Sequence, residues 1–174
     1  KITQTLVQAT DFRQFQHLRW SPNGQWLVAE NYLPGDGVSL VLINTETGQL
    51  QQITEATTLY SDKQPVWHPD SQSLYFVSTR NGFSELYRYT LESHQLECLS
   101  HLYTGLEMPF IVPDGKNLLY TLHQAKGTSV SQIALEALTP LSTTQEEVKD
   151  SLFEKKENLT PFPDQTYSIQ DYQV

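Results

Sequence analysis

A turn recurs along this chain at nearly constant spacing, and the recurrence limits the folds open to it. Trp20-Ser21-Pro22-Asn23-Gly24-Gln25 returns as Trp67-His68-Pro69-Asp70-Ser71-Gln72, and more faintly as Ile111-Val112-Pro113-Asp114-Gly115-Lys116. Pro22, Pro69 and Pro113 set periods of 47 and then 44 residues. A period of that length marks a repeat architecture in which each unit is one supersecondary element. After each turn come an apolar run, a polar turn, a second apolar run, another polar turn and a short last run. In the first unit the runs are residues 26–29, 40–43 and 50–54; in the second they are 74–77, 85–89 and 96–100. Their β-branched and aromatic residues, bounded by Gly, Pro, Asn and Ser, are strand signals, and no helical stripe competes over residues 1–135.

Continuous apolar runs imply strands covered on both faces. A four-stranded meander covered on both faces has to lie between neighbours, as blades do around a propeller axis. The expected fold is all-β, with about three four-stranded blades over residues 8–55, 56–101 and 102–136, so that blades occupy residues 1–136. Residues 1–7 fall where the last strand of a preceding unit belongs, and are expected as a strand of an adjacent blade. That strand could complete the third unit, whose own fourth strand is not legible. Residues 137–174 read as a charged linker and tail, with a short helix over 144–156 and an extended end carrying Tyr167, Ile169 and Tyr172.

The 174 residues are 38% apolar and 11% aromatic, enough for a packed core. A net charge of −9 repels phosphate backbones, so nucleic acid is excluded as a partner. No apolar run approaches the ~20 residues of a membrane helix, so no membrane insertion by this segment is expected. The single cysteine, Cys98, excludes an internal disulfide. A hydrolase elbow is not found: Gly82-Phe83-Ser84-Glu85-Leu86 lacks the second glycine and enters a strand. The histidines His17, His68, His94, His101 and His123 occupy different phases of the repeat. No catalytic residue, metal ligand or cofactor is assigned. Trp20, Trp26 and Trp67 are assigned to packing between blades. Binding concentrates on loops, and those joining the second and third strands of each unit should share one face. The candidates there are Asn31, Tyr32, Asp36, Arg80, Asn81, Phe83, His123 and Lys126.

Residues 20–29 and 67–78 resemble the WD40-like (PD40) repeat of TolB-type β-propellers, whose signature is a Ser-Pro-Asp-Gly turn feeding a buried strand. Residues 80–87 resemble that family's loop into its third strand. Three departures stand out: Ser71 replaces the turn glycine, Val112 replaces the turn serine, and the third unit lacks the aromatic before its turn. The resemblance implies a partial TolB-like propeller in a bacterial periplasm or envelope, acting as a non-catalytic module for a protein or peptide partner. The same repeat also occurs in prolyl-oligopeptidase-like and tricorn-like propellers. The alternative is therefore the gating propeller of a serine peptidase whose catalytic domain lies outside this chain. Three blades fall short of the usual ~4 to 8. Either the chain is part of a larger protein, or a homodimer completes a six-bladed ring.

Overall fold

In the computed structural model, which describes residues 5–8, 10, 12–102 and 105–141, the recurring turn is the same object three times over. Gly24, Ser71 and Gly115 donate their N–H to the carbonyls of Ser21, His68 and Val112, at 2.9, 3.0 and 2.8 Å. The side chains of Asn23, Asp70 and Asp114 each accept the N–H two residues on, from Gln25, Gln72 and Lys116. Proline presets φ for the turn and Asn or Asp fastens it. The fourth position needs a left-handed backbone, and Ser71 adopts it at φ 62°, beside 74° and 71° for Gly24 and Gly115.

Each turn separates the first two strands of an antiparallel meander. The first blade is β1 (Gln14–Trp20), β2 (Trp26–Tyr32), β3 (Val38–Asn44) and β4 (Leu50–Gln52). The second is β5 (Asp62–Trp67), β6 (Ser73–Ser78), β7 (Glu85–Thr90) and β8 (Gln95–Cys98). The third has three strands among the described residues: β9 (Leu106–Ile111), β10 (Asn117–Gln124) and β11 (Gly127–Ala134).

Continuous apolar runs give blades one and two an apolar surface on each face, and two of the cores lie between blades. Val28, Leu40 and Leu42 of blade one pack with Trp67, Leu74, Phe76, Tyr87 and Tyr89 of blade two. The other face of blade two, with Tyr75, Val77 and Leu86, packs with Leu106, Ile111 and Leu118 of blade three. Fully burying one such side chain stabilises the fold by about 1.5–3 kcal/mol. Polar bonds set the blade spacing. The Trp67 indole donates to the Arg19 carbonyl at 3.0 Å, the Ser71 hydroxyl accepts Asn23 N–H at 3.0 Å, and His68 Nε2 meets the Gly115 carbonyl at 3.2 Å.

At the two ends of this series the structure corrects the sequence reading. Residues 5–8, expected within a strand of an adjacent blade, are not in a strand; residues 1–4 fall outside the described set. Leu6 and Val7 instead pack on the outer face of blade one, against Leu27, Ala29, Val41 and Ile43. Trp20, assigned to packing between blades, is 60% exposed, with no other blade packed over it among the described residues. After β11 the chain makes a 3-10 turn at Leu135–Ala137, and Leu141 N–H bonds the Cys98 carbonyl at 2.9 Å, at the outer edge of blade two. The helix expected over 144–156 and the extended tail lie outside the described residues. Among the described residues no helix is long and apolar enough to cross a membrane.

Candidate functional site

The innermost strands carry a second repeat. His17, Gln64 and Met108 each stand five residues before a turn proline, and each has a left-handed backbone, at φ 47°, 56° and 51°. Strand register shifts at all three places, so each is a β-bulge. A bulge turns the backbone N–H out of its own ladder, and here it points to the neighbouring blade. Gln64 N–H donates to Glu30 Oε1 at 2.7 Å, and Met108 N–H to Gln64 Oε1 at 2.6 Å. Glu30, buried, also meets His17 Nδ1 at 2.9 Å through its other oxygen. This chain of contacts ties the three inner strands side by side.

Between them lies a groove of about 320 Å³, lined by His17, Arg19, Gln64, Val66, Met108 and Phe110 together with Pro65 and Pro109. Its walls mix apolar surface with a guanidinium and an amide. Met108 and Phe110 are 65% and 54% exposed. Sequence reasoning missed this groove, although a signal was there. Proline inside a strand is confined to edges and bulges, and Pro65 and Pro109 follow Gln64 and Met108 directly.

The loop residues chosen from the sequence divide into two groups. Arg80 donates from one nitrogen to both Asp62 oxygens at 2.9 Å, from Nε to Ser78 Oγ, and its guanidinium lies 4.8 Å from the centres of both the Tyr60 and Tyr87 rings. Asn81 donates to Glu85 Oε2 and to the Tyr87 hydroxyl, each at 2.8 Å. Asn31 is buried, donates to Ser39 Oγ at 3.2 Å, and its Oδ1 has no partner among the described residues. These three side chains hold loops in place. Phe83 is half-buried in the loop of Arg80 and Asn81. Tyr32 and Asp36, at the β2–β3 loop, and Lys126, between β10 and β11, are exposed, while His123 pairs with Glu107 at 3.4 Å.

Behind Asn81 sits a buried polar cluster. Glu85, with no exposed surface, meets His101 Nδ1 at 2.9 Å, and the Cys98 thiol donates to the Ser100 carbonyl at 3.1 Å. Burial, chiefly, pushes the Cys98 thiol above its ordinary pKa, which disfavours the nucleophilic thiolate. Among the described residues no group of three or more His, Cys, Asp or Glu side chains is placed to hold a metal ion.

Comparison with known proteins agrees with this architecture. The model of the PD40 TolB beta propeller domain family matches residues 6–155. An uncharacterized peptidase of Bacillus subtilis (strain 168), YuxL, is 30% identical over 90 residues, which is 51% of this chain and 13% of that protein. TolB from Acinetobacter baumannii superposes with a TM-score of 0.64 at 18% identity, covering 77% of this chain and 32% of that one. A putative TolB from Agrobacterium tumefaciens gives 0.61 at 17% identity, covering 69% and 45%. A puromycin-hydrolyzing peptidase of Mycobacterium tuberculosis gives 0.64 at 18% identity, covering 81% and 23%. The chain thus spans less than half the length of each of these proteins. At such identities the superpositions speak for the fold alone, but the triplicated turn, the stacked meanders and a family match over most of the sequence agree: this chain belongs to the TolB β-propeller domain family.

Proposed function

We propose that the chain is a non-catalytic propeller module, part of a larger protein, that binds a protein segment or peptide along the groove between its inner strands. The observation that carries this reading is the groove itself. Three bulged strands hold Met108 and Phe110 partly in solvent beside Arg19 and Gln64. An apolar wall with a few fixed polar groups is how small binding sites are generally made. The exposed loop residues Tyr32, Asp36, His123 and Lys126, with half-buried Phe83, are proposed as a secondary contact surface. Likeness to TolB supports a bacterial periplasmic or envelope location, and two copies closing a six-bladed ring is the oligomeric form that goes with it.

A displayed peptide library selected against the whole chain tests the reading. Peptides recovered should lose at least tenfold in affinity for Met108→Ala and for Arg19→Ala, as measured by calorimetry. Ligands indifferent to both substitutions would overturn it.

A second reading has its own support in the similarity to YuxL, whose name is that of a peptidase. Here the propeller would gate or select substrates for a serine hydrolase domain on the same polypeptide. A parent gene encoding a Gly-x-Ser-x-Gly elbow with later Asp and His would favour this reading over the first.

A further inference from the structure

We propose that the groove selects its peptide by charge as well as by shape. Arg19 takes the carboxylate of an Asp or Glu side chain, while Met108 and Phe110 cover a large apolar side chain of the same peptide. The proposal rests on the groove reading and names the chemistry of the occupant.

The repeat arranges the walls in two rows. Arg19, Val66 and Phe110 each stand three residues before a turn proline, as His17, Gln64 and Met108 stand five before it. All of these side chains line the groove. From blade one to blade three, one row reads Arg, Val, Phe and the other His, Gln, Met. Both run from polar to apolar, so the groove has a charged end at blade one and an apolar end at blade three. A wholly apolar ligand would bury the guanidinium without a partner, which is costly. A wholly acidic one would leave Met108 and Phe110 as exposed as they are now, at 65% and 54%.

Arg19 is also uncommitted. Arg80 and Arg88 are each spent on a carboxylate, those of Asp62 and Glu97, at 2.9 and 2.6 Å. Among the described residues Arg19 has no carboxylate partner, and its guanidinium bonds only the carbonyl of Leu18, its neighbour in the chain, at 3.0 Å. No acidic side chain lines the groove among the described residues. Glu30, which ties two of the bulges, is buried, with one oxygen accepting Gln64 N–H and the other meeting His17 Nδ1. The net charge of −9 opposes an acidic ligand at a distance. Salt screens that field beyond about 8 Å, so the contact inside the groove decides. A guanidinium offers a carboxylate two parallel N–H donors.

The same strands decide which kind of carboxylate fits. A chain terminus is captured by a nest of backbone N–H groups, and an added strand needs a row of them. Here the N–H groups of Gln64 and Met108 are already given to Glu30 and Gln64. The next residues, Pro65 and Pro109, have none. Recognition is left to side chains, and a long arginine reaches a side-chain carboxylate without help from the backbone.

Selection from a displayed peptide library, run against the whole chain and against Arg19→Glu, tests this. The unsubstituted chain should enrich peptides with Asp or Glu close to Leu, Met or an aromatic residue. Arg19→Glu should exchange the acidic residue for Lys or Arg and keep the apolar one. A selected peptide, synthesised with acetylated and amidated ends, should lose about tenfold in affinity when its acidic residue becomes the amide, more than an exposed ion pair is worth. In Arg19→Gln that change should have no effect, with the circular dichroism of the protein unaltered. Peptides that need Met108 but show no acidic preference and bind Arg19→Glu equally well overturn the proposal and leave groove binding standing. Binding that vanishes when the carboxyl end is amidated overturns the assignment to a side chain. Peptides indifferent to Met108→Ala and Arg19→Glu alike overturn both readings.

Discussion

Asp62 has no exposed surface and gives both carboxylate oxygens to Arg80, whose guanidinium also contacts Tyr60 and Tyr87. Removing one partner of a buried pair leaves the other charge uncompensated, which costs about 3–5 kcal/mol. Asp62→Asn should therefore lower stability by about 3 kcal/mol or more in urea titration. Exposed Lys126→Ala should stay within about 0.5 kcal/mol. Arg80 was legible as a notable residue, but not as a structural one: its partner comes from a strand 18 residues earlier in the chain. Cys98 sets a pH dependence. Burial keeps the folded thiol protonated to a higher pH than the thiol of the unfolded chain. The unfolded chain thus loses its proton first, so stability is fully present below about pH 8.5 and falls as pH rises from there. Melting temperatures between pH 7 and pH 9.5 should fall less for Cys98→Ser than for the unsubstituted protein; equal slopes would assign the loss to other groups.

Turns do two jobs at the scale of the element: they reverse the chain and they join blades. Ser71 shows both, since it accepts a left-handed φ that glycine would take freely and uses its hydroxyl to receive Asn23 N–H from the blade before. Ser71→Ala keeps the backbone cost and loses the bond, so it should cost about 1 kcal/mol in denaturant titration. Gly24 and Gly48 offer a paired test. Both have φ above 70°, but a Cβ on Gly24 meets nothing, whereas one on Gly48 runs into the Leu6 carbonyl. Gly24→Ala should cost about 1 kcal/mol, the left-handed penalty alone. Gly48→Ala should cost more and speed hydrogen exchange at Leu6 and Val7. The turn positions could be read from the sequence because Pro, Asn and Gly act locally. The bulges at His17, Gln64 and Met108 escaped notice because their residue types differ, and what repeats there is a backbone conformation.

For the molecule as a whole, the contrast between Trp20 and Trp67 measures how far stacking extends. Trp67 lies under the preceding blade and its replacement by Ala should cost about 3–5 kcal/mol. Trp20→Ala should be nearly neutral in dilute solution. If copies stack, Trp20 fluorescence should shift to the blue as concentration rises; an emission spectrum that stays constant would place Trp20 in water at all concentrations. The meander order, the number of blades and the apolar faces were determined by the chain itself, since alternation and turn chemistry are properties of neighbouring residues. Only the tertiary structure decided which polar side chains are spent on holding loops, where the inner groove opens, and that residues 135–141 turn from β11 toward the edge of blade two. Each of those depends on groups from different blades meeting in space, and a repeat written in one dimension carries no record of which of its copies stand at the ends of the stack.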